Sequence, residues 1–253
     1  MAHFDLEQYL ARIGFQGAAQ ADLSTVTAMM RVQLLTIPFE NLDIQAGKII
    51  SLKPGDIVEK LLDRHRGGYC FEVNGLFSMA LDALQIPYFF VAARPLTHHG
   101  IRKPKTHMAV VVKIKGEKWL CDCGFGGYGI RAPMRLSLLD TEVNQDGEIF
   151  MLSLLNEQEM VLKTKVQDVW EVQYAFDLSV HNWADFEPAN YYNCTHHDSL
   201  FVRKLLVVLC TPTGRKILFG NSLKIIDNGH QTKHHLKVEN RAALLRDEFG
   251  LVE

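Results

Sequence analysis

The hydrophobic period of this chain changes once, near residue 88, and that change restricts the folds open to it. Before it, apolar residues recur at helical spacing; after it they fall into short runs separated by turn residues. Asp5 with Gln8 reads as a capping box ahead of Leu6, Tyr9, Leu10 and Ile13. A second helix starts near Asp22, carries Leu23, Val26, Met30 and Leu34 on one face, and ends at Pro38. Pro54 opens a third, and a fourth runs from Cys70 with Val73, Leu76, Phe77, Ala80 and Leu84 inward, closed by Pro87. Strands are expected at Tyr88–Ala93, His107–Ile114, Lys118–Cys123, Glu148–Leu155, Met160–Val166 and Trp170–Phe176, with turns at Lys115-Gly116-Glu117 and Asp146-Gly147. Their regular spacing suggests an antiparallel barrel or sandwich. The Asn-, Tyr- and His-rich stretch Asp185–Leu200 reads as a loop, followed by strands at Phe201–Cys210 and Lys216–Ile226. A last helix is expected over Glu239–Phe249, capped by Gly250. Helices first and strands afterwards point to an α+β fold, not to βαβ units.

Composition removes several functions. Over 253 residues, 27 Lys and Arg balance 29 Asp and Glu, so the basic excess of a nucleic-acid binder is missing. No apolar run reaches the length of a membrane span, and MAHFDLEQYL lacks a signal-peptide core, so no membrane partner is expected. Five cysteines, an odd and sparse count, make a disulfide framework improbable and suggest a cytoplasmic protein with reduced thiols.

Among those thiols Cys70 stands out. It follows Arg66-Gly67-Gly68-Tyr69, where glycines permit a sharp turn, at an expected helix N-terminus whose dipole favours a thiolate, with Arg66 adding positive charge. The plainer alternative is a small buried hydrophobe. A thiolate nucleophile needs a base, and the base an orienting acceptor. His107 opens the apolar run Met108–Val112, and Asp122 lies one strand later between Cys121 and Cys123. The turn at Gly116 makes those strands neighbours, and a buried carboxylate needs a partner such as an imidazole N–H. Either residue could be purely structural, but together Cys70, His107 and Asp122 form a plausible triad.

Gly124-Phe125-Gly126-Gly127-Tyr128-Gly129 matches the dinucleotide fingerprint by letter, yet it leads to Ile130-Arg131-Ala132-Pro133 and not to a helix, so a Rossmann site is rejected. Cys121 and Cys123 lack a second ligand pair. The doublets His98-His99, His196-His197 and His234-His235 alternate faces if extended, each offering one ligand at most, so no metal is expected. Arg102, Lys103 and Lys105 form a small basic cluster, either solvated or a phosphate contact.

Arg66-Gly67-Gly68-Tyr69-Cys70-Phe71-Glu72-Val73-Asn74 resembles the active-site signature of arylamine N-acetyltransferases. Ile37-Pro38-Phe39-Glu40-Asn41-Leu42, Thr106-His107-Met108, Asp122-Cys123-Gly124-Phe125-Gly126 and the stretch from Gly214 to Leu251 agree in order and spacing. The resemblance, closest to bacterial-type members, implies an N-terminal helical bundle (1–87), a central antiparallel β-barrel (88–190) and a C-terminal α/β lid (191–253) around a cysteine-protease-like catalytic core. It implies acetyl transfer from acetyl-CoA, through a thioester on Cys70, to arylamines, arylhydrazines or N-hydroxyarylamines, as in xenobiotic metabolism. His107 would act as base and Asp122 as its orienting acid. It places Gly124, Phe125, Gly126 and Gly127 at the coenzyme, Phe39 and Phe125 at the acceptor, and Arg66, Glu40 and Asn41 in a supporting network. A Cys-His-Asp hydrolase, or a small-molecule binding protein on the same scaffold, are the alternatives. Two departures from the family pattern are the cysteines flanking Asp122 and the segment Tyr191–Ser199, which replaces a stretch usually richer in Ser and Pro.

Overall fold

The structure of the protein, a computed structural model, describes residues 3–96 and 104–252. His98, His99, Arg102 and Lys103 lie outside the described residues. Helix α1 (Leu6–Ile13) starts at Asp5, whose carboxylate accepts the Gln8 N–H at 3.0 Å. The cap is one-sided, because the Gln8 side chain reaches Asp63 instead (2.7 Å). Helix α2 (Leu23–Thr36) is capped by Asp22 and stops one residue short of Pro38. The chain then makes a two-residue strand β1 (Phe39–Glu40), the one-turn α3 (Leu42–Gln45), and α4 (Pro54–Val58), which continues as a π-helical turn over Glu59–Asp63. Helix α5 (Cys70–Ala83) is buried on nearly every face. Gln33 on α2 accepts the Tyr9 hydroxyl (2.6 Å) and donates to the Val73 carbonyl (2.9 Å), so one satisfied buried amide joins α1, α2 and α5.

Eight strands follow: β2 (Tyr88–Pro95), β3 (His107–Ile114), β4 (Glu117–Cys121), β5 (Met134–Arg135), β6 (Val143–Gln145), β7 (Glu148–Leu154), β8 (Met160–Val166) and β9 (Val169–Phe176). They form one antiparallel sheet in the order β5-β4-β3-β2-β9-β8-β7-β6, curled into a half-barrel around α5. Strands β3 and β8 occupy the expected residues, while β4 stops at Cys121 and leaves Asp122 just past its end.

The last third departs most from expectation. The stretch expected as a loop contains a 3₁₀ turn (Trp183–Phe186) and helix α6 (Glu187–Thr195). Its buried side is Asn190, Asn193 and Cys194, so no apolar period announces it. Polar contacts hold it instead, Asn190 donating to the Ile50 carbonyl (2.8 Å) and Asn193 to that of Thr106 (2.9 Å). Residues expected to begin a strand form the short α7 (Leu200–Arg203), and β10 (Leu206–Thr211) comes after it. The single strand expected over Lys216–Ile226 is a hairpin, β11 (Gly214–Phe219) and β12 (Ser222–Asp227), turning at Gly220 with φ +57°. A further strand, β13 (His230–His235), is exposed at every residue and carries no apolar signal. Helix α8 (Arg241–Phe249) ends at Gly250 in the left-handed conformation, as expected, and packs Leu245 and Phe249 on Val207, Leu218 and Leu223. The second sheet runs β1-β10-β11-β12-β13, so a strand from the bundle forms its edge. No helix among the described residues is long and apolar enough to cross a membrane.

A buried charge cluster locks the two sheets together. The Arg215 side chain, 1% exposed, makes two bonds to Glu148 (2.8 and 2.5 Å) and donates to the carbonyls of Gly127 (2.5 Å) and Gly129 (3.0 Å). Arg131 bonds the same carboxylate (3.1 Å) and the Gly214 carbonyl (2.7 Å). Removing Glu148 leaves two guanidinium groups buried without their shared anion. Glu148→Ala is expected to lower unfolding free energy by about 3–5 kcal/mol in urea titration; a loss under about 1 kcal/mol would show that the cluster does not hold the sheets.

Candidate active site

The nucleophile candidate sits where three segments converge. Strand β1 bridges the loop before α5: the Glu40 N–H donates to the Gly68 carbonyl (3.0 Å) and the Gly68 N–H to that of Pro38 (3.2 Å). The sequence suggested that Gly67 and Gly68 serve a sharp turn, but neither has a positive φ. What they provide is room. A Cβ on Gly67 would lie 2.3 Å from the Pro38 carbonyl oxygen, and one on Gly68 would lie 2.8 Å from the Glu72 Cβ. Glu72, in the first turn of α5, accepts the Tyr69 N–H (2.9 Å) and fixes the start of the helix. Cys70 is thus held at the helix N-terminus, 2% exposed, with its sulfur 3.9 Å from the Thr106 carbonyl.

The sheet supplies the other two groups. Cys121 pairs with Val110, so Asp122 continues opposite Ala109, on the face that carries His107 two residues along. His107 Nε2 and Asp122 Oδ2 are 2.7 Å apart and both side chains are buried. The other Asp122 oxygen accepts from Asn74 Nδ2 (3.0 Å) and the Gly124 N–H (2.9 Å). Asn74 also donates to the Met108 carbonyl (2.7 Å) and accepts the Cys123 N–H (2.8 Å), so one amide bolts α5 to both strands. Burial alone would raise the Asp122 carboxyl. The His107 charge and these hydrogen bonds outweigh it, and the group stays ionised below the ordinary carboxylate range. With Nε2 turned to Asp122, Nδ1 is the His107 nitrogen left for chemistry.

Cys70 and His107 line one cavity of about 150 Å³, whose apolar walls are Phe39, Phe125, Phe201 and Leu206 and whose rim includes Tyr192, Asn193 and Asp198. Both residues expected at the acceptor, Phe39 and Phe125, are here. The Phe125 ring meets His107 edge-on at 5.2 Å and Tyr174 at 5.1 Å. The glycines of the next loop are explained by the protein's own packing. A Cβ on Gly124 would meet the Cys70 Cα at 2.7 Å, and one on Gly126 the Phe39 ring at 2.5 Å. The Gly124 N–H is spent on Asp122 and that of Gly127 on the Phe125 carbonyl (2.8 Å).

Of the expected supporting residues, Arg66 bonds Glu40 at 2.7 Å, and Glu40 accepts the Leu42 N–H (2.6 Å). Asn41 faces the other way. It donates to the carbonyls of Phe201 (2.8 Å) and Lys204 (2.9 Å), accepts the Leu206 N–H (2.7 Å), and so ties α7 and β10 to the bundle. Lys105, from the basic cluster, is paired with Asp177. Sequence reasoning missed Asn74, Tyr174, Arg215 and a buried hub at Lys60, whose ammonium meets Glu72 (2.8 Å), Asp43 (2.9 Å) and Glu40 (3.8 Å). For Asn74, its place four residues after Cys70 on one helix face was an available signal.

Arg66, expected to add positive charge beside Cys70, is itself paired. The Arg66 charge is taken up by Glu40 and, at 3.6 Å, by Asp43, while burial and then the Asp122 charge push the Cys70 thiol up. Glu72 is moved as well: burial raises it from 4.5 to about 7, Lys60 opposing and Glu40 adding to the shift. A raised carboxyl stabilises the fold fully below the unfolded value, and that contribution is lost as pH climbs through the folded value. Between about pH 4.5 and 7 the protein is therefore expected to lose about 3 kcal/mol relative to Glu72→Gln, measured by urea denaturation; parallel profiles would show that Glu72 does not titrate there.

Residues 22–252 match a family model described as N-acetyltransferase. The arylamine N-acetyltransferase of Escherichia coli is 32% identical over 250 residues, covering 97% of this chain and 88% of that protein. A Salmonella typhimurium relative named arylamine N-acetyltransferase / N-hydroxyarylamine O-acetyltransferase is 30% identical over 257 residues, covering 97% and 88%. Among solved structures, the Mycobacterium tuberculosis arylamine N-acetyltransferase matches with a TM-score of 0.92 at 32% identity, covering 97% of this chain and 93% of that one. The Mycobacterium marinum enzyme in complex with CoA matches with 0.91 at 30%, covering 97% and 92%. On sequence and structure alike, the chain belongs to the arylamine N-acetyltransferase family.

Proposed function

We propose that the protein carries an acetyl group from acetyl-CoA to an arylamine, arylhydrazine or N-hydroxyarylamine through a thioester on Cys70. The observation that carries this reading is that His107, bonded to the buried Asp122, lines the same cavity as Cys70. His107 Nδ1 takes the thiol proton as the sulfur attacks the acetyl carbonyl, and the imidazolium is held by the Asp122 carboxylate. The tetrahedral intermediate collapses, the coenzyme A thiolate leaves with the proton from His107, and the acetyl group stays on sulfur. The acceptor nitrogen then attacks this thioester, His107 takes the nitrogen's proton, and the Cys70 thiol is restored. An aniline nitrogen is neutral at pH 7, so its lone pair is ready for this second step. The walls of Phe39, Phe125 and Phe201 suit a flat ring and keep water from the thioester, which favours transfer over hydrolysis.

In this reading residues 1–87 bring the nucleophile, 88–190 the base and its acid, and 191–253 close the cleft. The coenzyme runs along the loop of Gly124, Phe125, Gly126 and Gly127. It meets that loop chiefly through Phe125 and Gly126, since the N–H groups of Gly124 and Gly127 are already bonded. The M. marinum relative's complex with CoA supports a coenzyme site in this fold. Five buried, unpaired cysteines suit the cytoplasm, where thiols stay reduced.

Incubation with acetyl-CoA and intact mass measurement should show a gain of one acetyl group, absent in Cys70→Ala. A folded wild type that stays unmodified under reducing conditions sinks the mechanism. Asp122→Asn keeps a similar shape but no charge to hold the imidazolium, so the acetylation rate should fall about 10²–10⁴-fold. A loss under about tenfold would remove Asp122 from the proposed role.

A further inference from the structure

Among the described residues one group of metal-ligating side chains converges outside the catalytic centre, just after helix α6. His196 and His197 were expected to point to opposite faces. They do so only in an extended chain, and here helix α6 ends just before them: the His196 N–H caps the Tyr192 carbonyl (2.9 Å) and the Ser199 N–H turns back to the His196 carbonyl (2.8 Å). The turn stacks the two imidazoles, with centroids 4.4 Å apart and planes 25° from parallel, and Tyr192 stacks on the far side of His196, also at 4.4 Å. Asp198 completes the group. Its Oδ2 is 3.5 Å from His197 Nε2 and 4.0 Å from His196 Nδ1, and its N–H donates to His196 Nδ1 (3.1 Å), a bond that an ion on that nitrogen displaces. One ligand atom from each residue lies within 4.8 Å of the other two.

We infer that His196, His197 and Asp198 form a binding site for a divalent transition-metal ion of the zinc class, on the rim of the catalytic cavity. Two imidazoles and one carboxylate are the donor set that suits zinc, cobalt or nickel over calcium or magnesium, with water filling the remaining positions. Metal–nitrogen distances near 2.1 Å require the donors to close by about 1 Å. His197 and Asp198, with side chains 85% and 65% exposed, are free to do so. The site acts on its neighbour because Tyr192, Asn193, Asp198 and Ser199 all border the cavity that holds Cys70. An ion there reverses the charge that Asp198 presents at the mouth and clamps the end of α6 to the turn that follows. The inference does not depend on the acetyl-transfer reading, since it concerns binding first.

The test uses the full chain carrying Cys70→Ala, so that the nucleophile cannot ligate, titrated calorimetrically with zinc. One equivalent is expected to bind with a Kd in the micromolar range, and adding His197→Gln or Asp198→Asn should weaken it at least about tenfold. Cobalt substitution should give ligand-field absorption without a thiolate-to-cobalt charge-transfer band. Equal thermal melting of the metal-free His197→Gln protein shows that the fold is intact. The inference is overturned if zinc does not bind at about 100 µM, if either substitution leaves its affinity unchanged, or if cobalt shows thiolate ligation.

Discussion

Burying the Asp122 carboxylate is the constraint around which the rest is arranged. A charge taken out of water must be met by partners, and each partner here comes from a different element: His107 from β3, Asn74 from α5, and the Gly124 N–H from the loop after β4. None of these could move far without leaving the carboxylate short of a hydrogen bond. The same contacts join the bundle to the half-barrel, and Cys70 at the start of α5 lines the same cavity as His107. The cost of desolvating one acid is offset by bonds that also assemble the site.

Two other charge clusters brace this arrangement from either side. Lys60 draws Glu40, Asp43 and Glu72 together behind the nucleophile's turn, and Arg66 shares two of them. Arg215 and Arg131 meet at Glu148 and hold the glycine-rich loop by its carbonyls. The cavity that Cys70 and His107 share has Phe39, Phe125 and Phe201 among its walls. Polar groups are spent on position, and apolar ones on what the cavity admits.

What could be read from the sequence follows from how far each signal reaches. Helix α5 and its cysteine were legible because the apolar period and the two preceding glycines are local. Strands β3 and β4 were legible because Lys115 and Gly116, both with positive φ, make a tight hairpin turn. Helix α6 was not, since its buried face is Asn190, Asn193 and Cys194, and the carbonyls its two asparagines reach lie more than 80 residues away. Strand β13 has no apolar residue to mark it. The Arg215–Glu148 pair spans 67 residues and looks like two ordinary surface charges until the sheets meet. Arg66 is near Cys70 in sequence, but the carboxylate it bonds, Glu40, lies 26 residues before it.

Strand β1 is only two residues long, yet it is the edge of a sheet whose other strands are made near the end of the chain. Asn41, just after it, waits 165 residues for the Leu206 N–H. A chain emerging from the ribosome therefore holds Cys70, His107 and Asp122 well before it holds Phe201 and Leu206, the last residues to join the cavity lining. Contacts of such long sequence separation close late and slowly in folding. A product truncated before β10 would carry Cys70, His107 and Asp122 but lack Leu206 from the cavity wall and the strand that pairs with β1.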